Sequence, residues 1–274
     1  MAFLGNFINF APSKSLITNN LNGLMNTRQL TLFVVTMMVS LASAQTITGK
    51  YEIPKVPDWA KNEVFYQIYP QTFCDSDGDG IGDIQGIISK LDYVKSLGVD
   101  AIWFNPFFDS PFHDAGYDIR DYYKIAPRYG TNEDARQLFE EAHKRGMHVI
   151  FDYVISYTAI DHPWFVASQQ QTPNKYSNYY IWTETNWADP PMEFAGQFVK
   201  GYGQRNGQFM RNFYWCQPAL NFGFANPDPD QKWQLPTDHP DVMAMREDLK
   251  NVLRFWMDMG ADGFRADMAG ALVI

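Results

Sequence analysis

Hydrophobic and polar positions follow two different periods along the chain. Short apolar runs predict strands at residues 63–69, 101–104, 148–152 and 261–265. Apolar residues at helical spacing predict helices at 83–97, 132–145 and 241–259. Gly98 and Gly146 directly follow the first two helices, at positions where glycine commonly ends a helix. Strands and helices that alternate with short connections are typical of a parallel α/β sheet.

The regular alternation stops after the third predicted strand. Residues 156–222 have no clear period and are rich in Tyr, Trp, Gln, Asn, Pro and Gly. Because this stretch is too long for an ordinary loop, we interpret it as an inserted subdomain. Four βα strands with an insertion after the third amount to half of a (β/α)8 barrel, which needs eight strands.

The N-terminal part of the chain carries the pattern of a secretory signal peptide. In residues 25–44, Arg28 precedes an apolar run at 30–41, and Ala42-Ser43-Ala44 forms a cleavage pattern before Gln45. We therefore predict an exported protein that begins at Gln45, with Met25 as the natural start and residues 1–24 as a non-native extension. The apolar run is short for a membrane span, but an uncleaved membrane anchor is the alternative.

Composition narrows the choice of ligand. Hydrophobic residues make up 46% and aromatic residues 16% of the chain, enough for a packed core. The net charge of −9 argues against nucleic acid as a partner, and an acidic, aromatic-rich surface suits a neutral, hydroxyl-rich ligand such as a sugar. Cys74 and Cys216 are too few for a disulfide scaffold; they form one disulfide or remain two thiols.

An acidic, glycine-rich loop follows the first predicted strand. Its carboxylates come from Asp75, Asp77, Asp79 and Asp83, with glycines between them. Such a loop can wrap one hard cation with carboxylate and backbone oxygens, which favours a structural Ca²⁺ or Mg²⁺. It is not an EF-hand, because the twelfth position is Gly86 where that motif needs a glutamate. A solvated acidic turn that caps the next helix is the alternative.

Polar residues also stand where the other strands end. Asp114 and Tyr117 lie in the loop after the second strand, and Asp152 ends the third. Arg265 and Asp267 are two residues apart at the fourth strand, so their side chains point to the same face. The arginine favours the charged form of the aspartate, as a nucleophile requires, although a buried structural salt bridge fits the pair equally well.

The order of these motifs resembles the α-amylase family of retaining glycoside hydrolases, in its α-glucosidase and oligo-α-glucosidase branch. The resemblance covers about residues 58–274 and rests on five phrases: VFYQIYPQTFCDSDGDGIGD, KLDYVKSLGVDAIWFNPFFDSP, DAGYDIRDY, QPALNFGFANPD and MGADGFRADMAG. It implies a (β/α)8 TIM barrel, here truncated after about the fourth strand, with residues 45–155 and 223–274 in the barrel and 156–222 in the inserted subdomain.

The resemblance also implies roles for individual residues. It makes Asp267 the nucleophile, oriented by Arg265. It assigns contacts with an α-linked glucose oligosaccharide or glucan to Asp114, Tyr117, Tyr157 and Phe165, and the cation to Asp75, Asp77, Asp79, Asp83 and the backbone of Ile81. Whether α-1,4 or α-1,6 linkages are cleaved stays open.

Two departures from the family pattern bear on activity. Ser156 and Tyr157 replace the usual Asn-His pair after the third strand, and Ala219 stands where an aspartate is common. The family's proton-donating glutamate follows the fifth strand, so this chain alone is expected to be an inactive portion of the enzyme. The alternative hypothesis is a non-catalytic, membrane-anchored amylase-like ectodomain that acts as a binding partner.

Overall fold

The computed structural model describes residues 55–274. The predicted extension at 1–24 and signal peptide at 25–44 lie outside the described residues. Within the described part, no helix is both long and apolar enough to cross a membrane.

The described residues contain eight strands and six α-helices, joined by turns and loops. The strands are β1 (Phe65–Ile68), β2 (Ala101–Phe104), β3 (Phe108–Asp109), β4 (Asp121–Ile125), β5 (His148–Val154), β6 (Phe198–Val199), β7 (Phe209–Met210) and β8 (Gly263–Asp267). The α-helices are α1 (Pro70–Phe73), α2 (Ile84–Ser89), α3 (Leu91–Ser96), α4 (Asn132–Lys144), α5 (Pro163–Ser168) and α6 (Pro240–Asp258). Three-residue 3-10 helices are found at Trp59–Lys61, Met192–Phe194 and Ala269–Ala271.

The four predicted strands form one parallel sheet in the order β1-β2-β5-β8. Phe65 of β1 is paired with Ala101 of β2, which is paired in turn with His148 of β5. Asp152 of β5 is paired with Arg265 of β8. Because all four strands run in the same direction, their carboxyl ends share one edge of the sheet. This confirms the predicted parallel α/β organisation.

The two faces of the sheet differ in chemistry, since side chains alternate along a strand. On one face Phe151 contacts Phe107, Phe108 and Trp256, with ring centroids 4.9, 5.4 and 5.8 Å away. These rings belong to the main hydrophobic core beneath the helices. The opposite face carries polar and charged side chains towards the carboxyl edge, namely Gln67, Trp103, Asp152, Arg265 and Asp267.

Local hydrogen bonds explain where the helices begin. Thr131 and Asp134 form a reciprocal capping box at the start of α4. At α6 the ring of His239 accepts the backbone N–H of Asp241, and a proline fills the first turn. The indole of Trp256 near the end of α6 donates to the carbonyl of Tyr122 at 2.8 Å, which fixes this helix on the core.

The single helix predicted at 83–97 is wrong in one respect. The structure has two helices, α2 and α3, that meet at Lys90, where φ is −108° and ψ is 3°. The backbone N–H of Lys90 donates to Ile87 at 2.9 Å, so the last turn of α2 tightens and the axis breaks. Gly86, inside α2, lies against the backbone of Cys74, where an added Cβ would be 2.1 Å from the carbonyl oxygen.

The stretch between β5 and α6 consists mostly of turns, with α5, the β6-β7 pair and one 3-10 helix. It has its own small hydrophobic cluster, formed by Ile181, Phe194, Met210, Ala219, Phe224 and Trp233. This cluster extends past the predicted boundary at residue 222.

Cys74 and Cys216 are both free thiols.

His162, the cap of α5, is expected to make stability depend on pH. Its ring is 4% exposed, and its Nδ1 accepts the backbone N–H of Trp164 at 3.1 Å. Burial lowers the pKa of His162 to about 3. The unfolded chain, with a histidine pKa near 6.5, therefore binds a proton that the folded chain does not, and stability falls as the pH drops from about 6.5 towards 3.

The measurement is urea unfolding of the wild type and of His162→Asn at pH 6.5, 5.5 and 4.5. Asparagine can still accept the capping hydrogen bond but does not titrate. Below pH 6 the wild type is expected to lose about 1.4 kcal/mol per pH unit more than the variant. If the free energy of unfolding changes equally with pH in the two proteins, His162 is not the source of the pH dependence.

Candidate active site

The centre of the site is an arginine shared by two aspartates at the carboxyl edge of the sheet. Nη1 of Arg265 donates to Oδ1 of Asp152 at 3.0 Å and to Oδ1 of Asp267 at 2.6 Å. The pairing of β5 with β8 places Asp152 opposite Arg265 and Val154 opposite Asp267. Although partial burial works against it, the two carboxylates raise the pKa of Arg265 and keep it charged. One side chain thus fixes the orientation of Asp267.

Asp152 is the most buried member of this cluster, with no exposed surface. Besides Arg265, it accepts the indole N–H of Trp103 at 3.1 Å and the hydroxyl of Tyr117 at 2.7 Å. Burial raises the pKa of Asp152, and these three donors partly offset the effect. Three strands and one loop are therefore tied together through a single buried carboxyl.

Tyr117 is held in its protonated form. Burial and the hydrogen bond to Asp152 raise the pKa of its hydroxyl well above the ordinary value. The amide of Asn105, just past the end of β2, donates to the same hydroxyl at 3.2 Å. Tyr117 is thus a fixed neutral group beside the charged cluster.

Asp114 is held by a residue near the end of the insertion. Its Oδ2 accepts the side-chain amide of the fully buried Gln217 at 2.7 Å. Its backbone is fixed by Asp118, whose Oδ1 accepts the N–H of Asp114 at 3.1 Å. The loop after β2 and the last part of the insertion therefore meet at Asp114.

Tyr157 and Phe165 are both buried, at 1% and 0% exposure. Burial, and then the charges of Asp114 and Asp267, raise the pKa of the Tyr157 hydroxyl. Phe165 instead packs inside the insertion, with Tyr180 and Phe209 at 4.9 and 5.0 Å. Its ring has no free face for a sugar, so we remove Phe165 from the candidate site as a correction to the sequence prediction.

Ser156 lies next to Tyr157 but belongs to a different surface. Its hydroxyl is buried, has no hydrogen-bond partner among residues 55–274, and lines a cavity of about 410 Å³ together with Asn212 and Leu220. These two adjacent residues therefore have different surroundings, since Ser156 lines this cavity whereas the ring of Tyr157 packs against Phe213.

The predicted cation loop is separate from the arginine cluster. Ligand oxygens of Asp75, Asp77 and Asp83 lie within 4.8 Å of one another. Asp79 is turned to the backbone N–H of Ile81, which its Oδ1 accepts at 2.7 Å. Backbone N–H groups of Gly78 and Gly80 lower the pKa of Asp75. The loop thus brings three of the four predicted carboxylates together.

Sequence reasoning missed several positioning residues. Asp152 was recognised at its strand end but was given no role, and Trp103, Asn105 and Gln217 were not assigned to the site. An alternation signal was present for two of them, since Trp103 and Asp152 lie on the polar face of otherwise apolar strands. The contact between Gln217 and Asp114 joins residues 103 positions apart, and no local pattern predicts it.

Comparison with known proteins shows the family of the chain. Residues 67–273 match the family described as alpha amylase, catalytic domain. The chain belongs to the α-amylase family. It is 39% identical over 219 residues to an oligo-1,6-glucosidase from Heyndrickxia coagulans, covering 78% of this chain and 36% of that protein. The predicted family and its glucosidase branch are confirmed.

Other members of the family are similar to the same degree. The trehalose synthase/amylase TreS from Mycolicibacterium smegmatis is 39% identical over 215 residues, covering 78% of this chain and 34% of that protein. The crystal structure of the isomaltulose synthase SmuA from Protaminobacter rubrum is matched with a TM-score of 0.65 and 44% identity, covering 77% of this chain and 36% of that one. The chain spans about a third of the length of these relatives.

Proposed function

We propose that this protein is a glycoside hydrolase of the α-amylase type that cleaves α-glucosidic bonds in oligosaccharides or starch-derived glucans. The observation that carries the proposal is the arginine that joins Asp152 to Asp267 at the carboxyl edge of the parallel sheet. In barrels of this class catalytic residues stand at that edge, and we propose that the four-stranded sheet belongs to a (β/α)8 barrel.

Asp267 is the proposed nucleophile of a retaining double displacement. Its carboxylate attacks the anomeric carbon of glucose, the glycosidic C–O bond breaks, and the leaving oxygen takes a proton from an acid. Water then attacks the same carbon and gives a proton to the conjugate base of that acid. The bond between this carbon and the carboxylate of Asp267 breaks in the same step. Arg265 orients the nucleophile, and we assign no proton donor among residues 55–274.

The remaining residues hold the glucosyl unit in place. Asp114 is fixed by Gln217 on one oxygen, so its other oxygen is available for sugar hydroxyls. Tyr117 supplies the edge of its aromatic ring beside Asp114. Its neutral hydroxyl is fixed by donating a hydrogen bond to Asp152. Tyr157 stands where the family usually has a histidine, but we assign it no contact with the sugar, because its side chain is only 1% exposed.

Covalent labelling with 5-fluoro-α-glucosyl fluoride tests the proposal. Fluoride leaves without protonation, so the experiment examines the nucleophile independently of any proton donor. The expected result is one glucosyl adduct, located on Asp267 by peptide mass spectrometry. An adduct on another residue, or no adduct at saturating reagent, would contradict the assignment and favour a non-catalytic binding role.

We also propose that the loop at 75–83 holds a structural Ca²⁺. Carboxylates this close repel one another unless a cation joins them, and Ca²⁺ prefers such an all-oxygen set. Asp83 also caps α2 by accepting the N–H of Gly86 at 2.7 Å, so the bound ion would stiffen the start of that helix.

Thermal melts with Ca²⁺ and with a chelator test this site. A cation that binds only the folded chain raises its stability, and at 100 times Kd we expect Tm to rise by about 5 °C or more. Asp75→Ala is expected to abolish the shift, whereas Asp230→Asn, an exposed aspartate elsewhere, retains it. Equal Tm values with and without Ca²⁺ would rule the site out.

We further propose export, on the basis of the signal pattern at residues 25–44. N-terminal sequencing of the purified protein is expected to begin at Gln45. A mature chain that retains residues 25–44 would contradict cleavage and favour the membrane-anchored alternative.

A further inference from the structure

Three consecutive aromatic residues project from a short turn beside the candidate site. The turn, residues 212–217, closes with the N–H of Asn212 donating to the carbonyl of Gln217 at 2.9 Å, and the N–H of Gln217 to the carbonyl of Tyr214 at 3.0 Å. The amide oxygen of Gln217 accepts the N–H of Tyr214 at 3.0 Å, and the guanidinium of Arg211 donates to the carbonyl of Phe213. The backbone of this turn is therefore well fixed.

The side chains of the turn are nevertheless exposed. Phe213, Tyr214 and Trp215 are 46%, 56% and 58% exposed. Single exposed aromatic residues are ordinary, but three in a row on a hydrogen-bonded turn form a contiguous apolar surface. Such surfaces commonly mark a binding site, because keeping large rings in water lowers stability unless a ligand covers them.

Two contacts connect this turn to the site. The amide of Gln217 donates to Asp114 at 2.7 Å, and it also holds the turn through Tyr214. The ring of Phe213 meets the edge of Tyr157 with centroids 5.8 Å apart. The aromatic surface is thus continuous with the residues proposed to hold the glucosyl unit.

We propose that Phe213, Tyr214 and Trp215 form an aromatic platform that binds the sugar unit adjacent to the transferred glucosyl unit. This inference rests on the proposed function, which places the transferred glucosyl unit at Asp114 and Asp267. A pyranose ring presents an apolar C–H face and a polar rim, and aromatic faces with a negative quadrupole suit that C–H face. Because the platform adjoins Asp114, a neighbouring sugar is the occupant that its position favours over a polypeptide.

The test is isothermal titration calorimetry on the full chain with three probes: isomaltotriose, maltotriose and methyl α-glucoside. In Trp215→Ala, the ratio of the affinity for the preferred trisaccharide to the affinity for methyl α-glucoside is expected to fall about tenfold. Trp215→Phe, which keeps a ring, is expected to retain most of the ratio. Trp187→Ala is the matched control, since Trp187 is 92% exposed elsewhere in the insertion and its loss is expected to leave the ratio unchanged.

The outcomes separate this inference from the function on which it rests. If Asp114→Asn weakens methyl α-glucoside binding while Trp215→Ala leaves the ratio unchanged, the platform is wrong and the proposed function stands. If Asp114→Asn has no effect on methyl α-glucoside, the glucosyl position is wrong and both proposals fail. If Trp215→Ala only abolishes self-association in sedimentation velocity, the aromatic turn is a contact between copies of the chain, which also overturns the platform. Thermal melts of each variant show that it is folded.

Discussion

Asp267→Asn is expected to slow covalent labelling by 5-fluoro-α-glucosyl fluoride at least about 1,000-fold, equivalent to about 4 kcal/mol of activation free energy. The amide nitrogen and oxygen have the size of the carboxylate but are far weaker nucleophiles. Arg265 keeps its bond to Asp152 in this variant, so the geometry of the cluster is expected to persist. Intact-mass spectrometry against time gives the labelling rate directly.

The control for this loss is Asp258→Asn, an exposed aspartate at the end of α6. It is expected to label at the wild-type rate. Labelling of Asp267→Asn at that same rate would show that the reagent reacts elsewhere, and Asp267 would then be a structural partner of Arg265. Circular dichroism of both variants distinguishes chemical loss from unfolding.

Asp152→Ala is expected to lower the free energy of unfolding by about 3 kcal/mol. The substitution removes the acceptor shared by Trp103, Tyr117 and Arg265. Most of the loss should come from the part-buried indole and hydroxyl donors, because the side chain of Arg265 is 41% exposed and water can solvate it. Urea denaturation of the wild type and the variant provides the two free energies.

The matched control is Asp161→Ala, in which an aspartate 44% exposed loses a surface pair with Arg120. Surface pairs of this kind contribute little, so this change is expected to cost less than about 1 kcal/mol. Equal losses in the two variants would mean that the buried position of Asp152 adds nothing to stability. A loss confined to Asp152→Ala would establish it as the residue that holds three strands and the Tyr117 loop together.

Much of the fold could be predicted because its signals are local. The strands predicted at 101–104 and 148–152 are short runs, mostly apolar, between turn residues, and α4 has both its cap and its closing glycine in the sequence. The division of the helix predicted at 83–97 could not, since no residue at Lys90 breaks a helix. The break accompanies the close approach of Gly86 to Cys74, which is a tertiary contact.

The candidate site likewise has some features that local sequence predicts and others that it does not. Asp75, Asp77 and Asp83 lie a few positions apart, so their sequence spacing alone brought them into one loop. Phe165 was misassigned because an aromatic residue near a strand end has the same sequence signal whether it faces a ligand or a core. Packing against Tyr180 and Phe209 decides that it is core.

By itself, the sequence determined the family, the succession of parallel strands, and the positions of Arg265 and Asp267 on the fourth strand and of Asp114 and Tyr117 in the loop after the second. These follow from periodicity and short motifs, which act over a few residues. Only the tertiary structure decided that Asp152 unites Trp103, Tyr117 and Arg265, and that Gln217 links Asp114 to the aromatic turn. Such contacts depend on strand register and on the path of the insertion, because a hydrogen bond of about 3 Å between distant residues leaves no trace in local spacing.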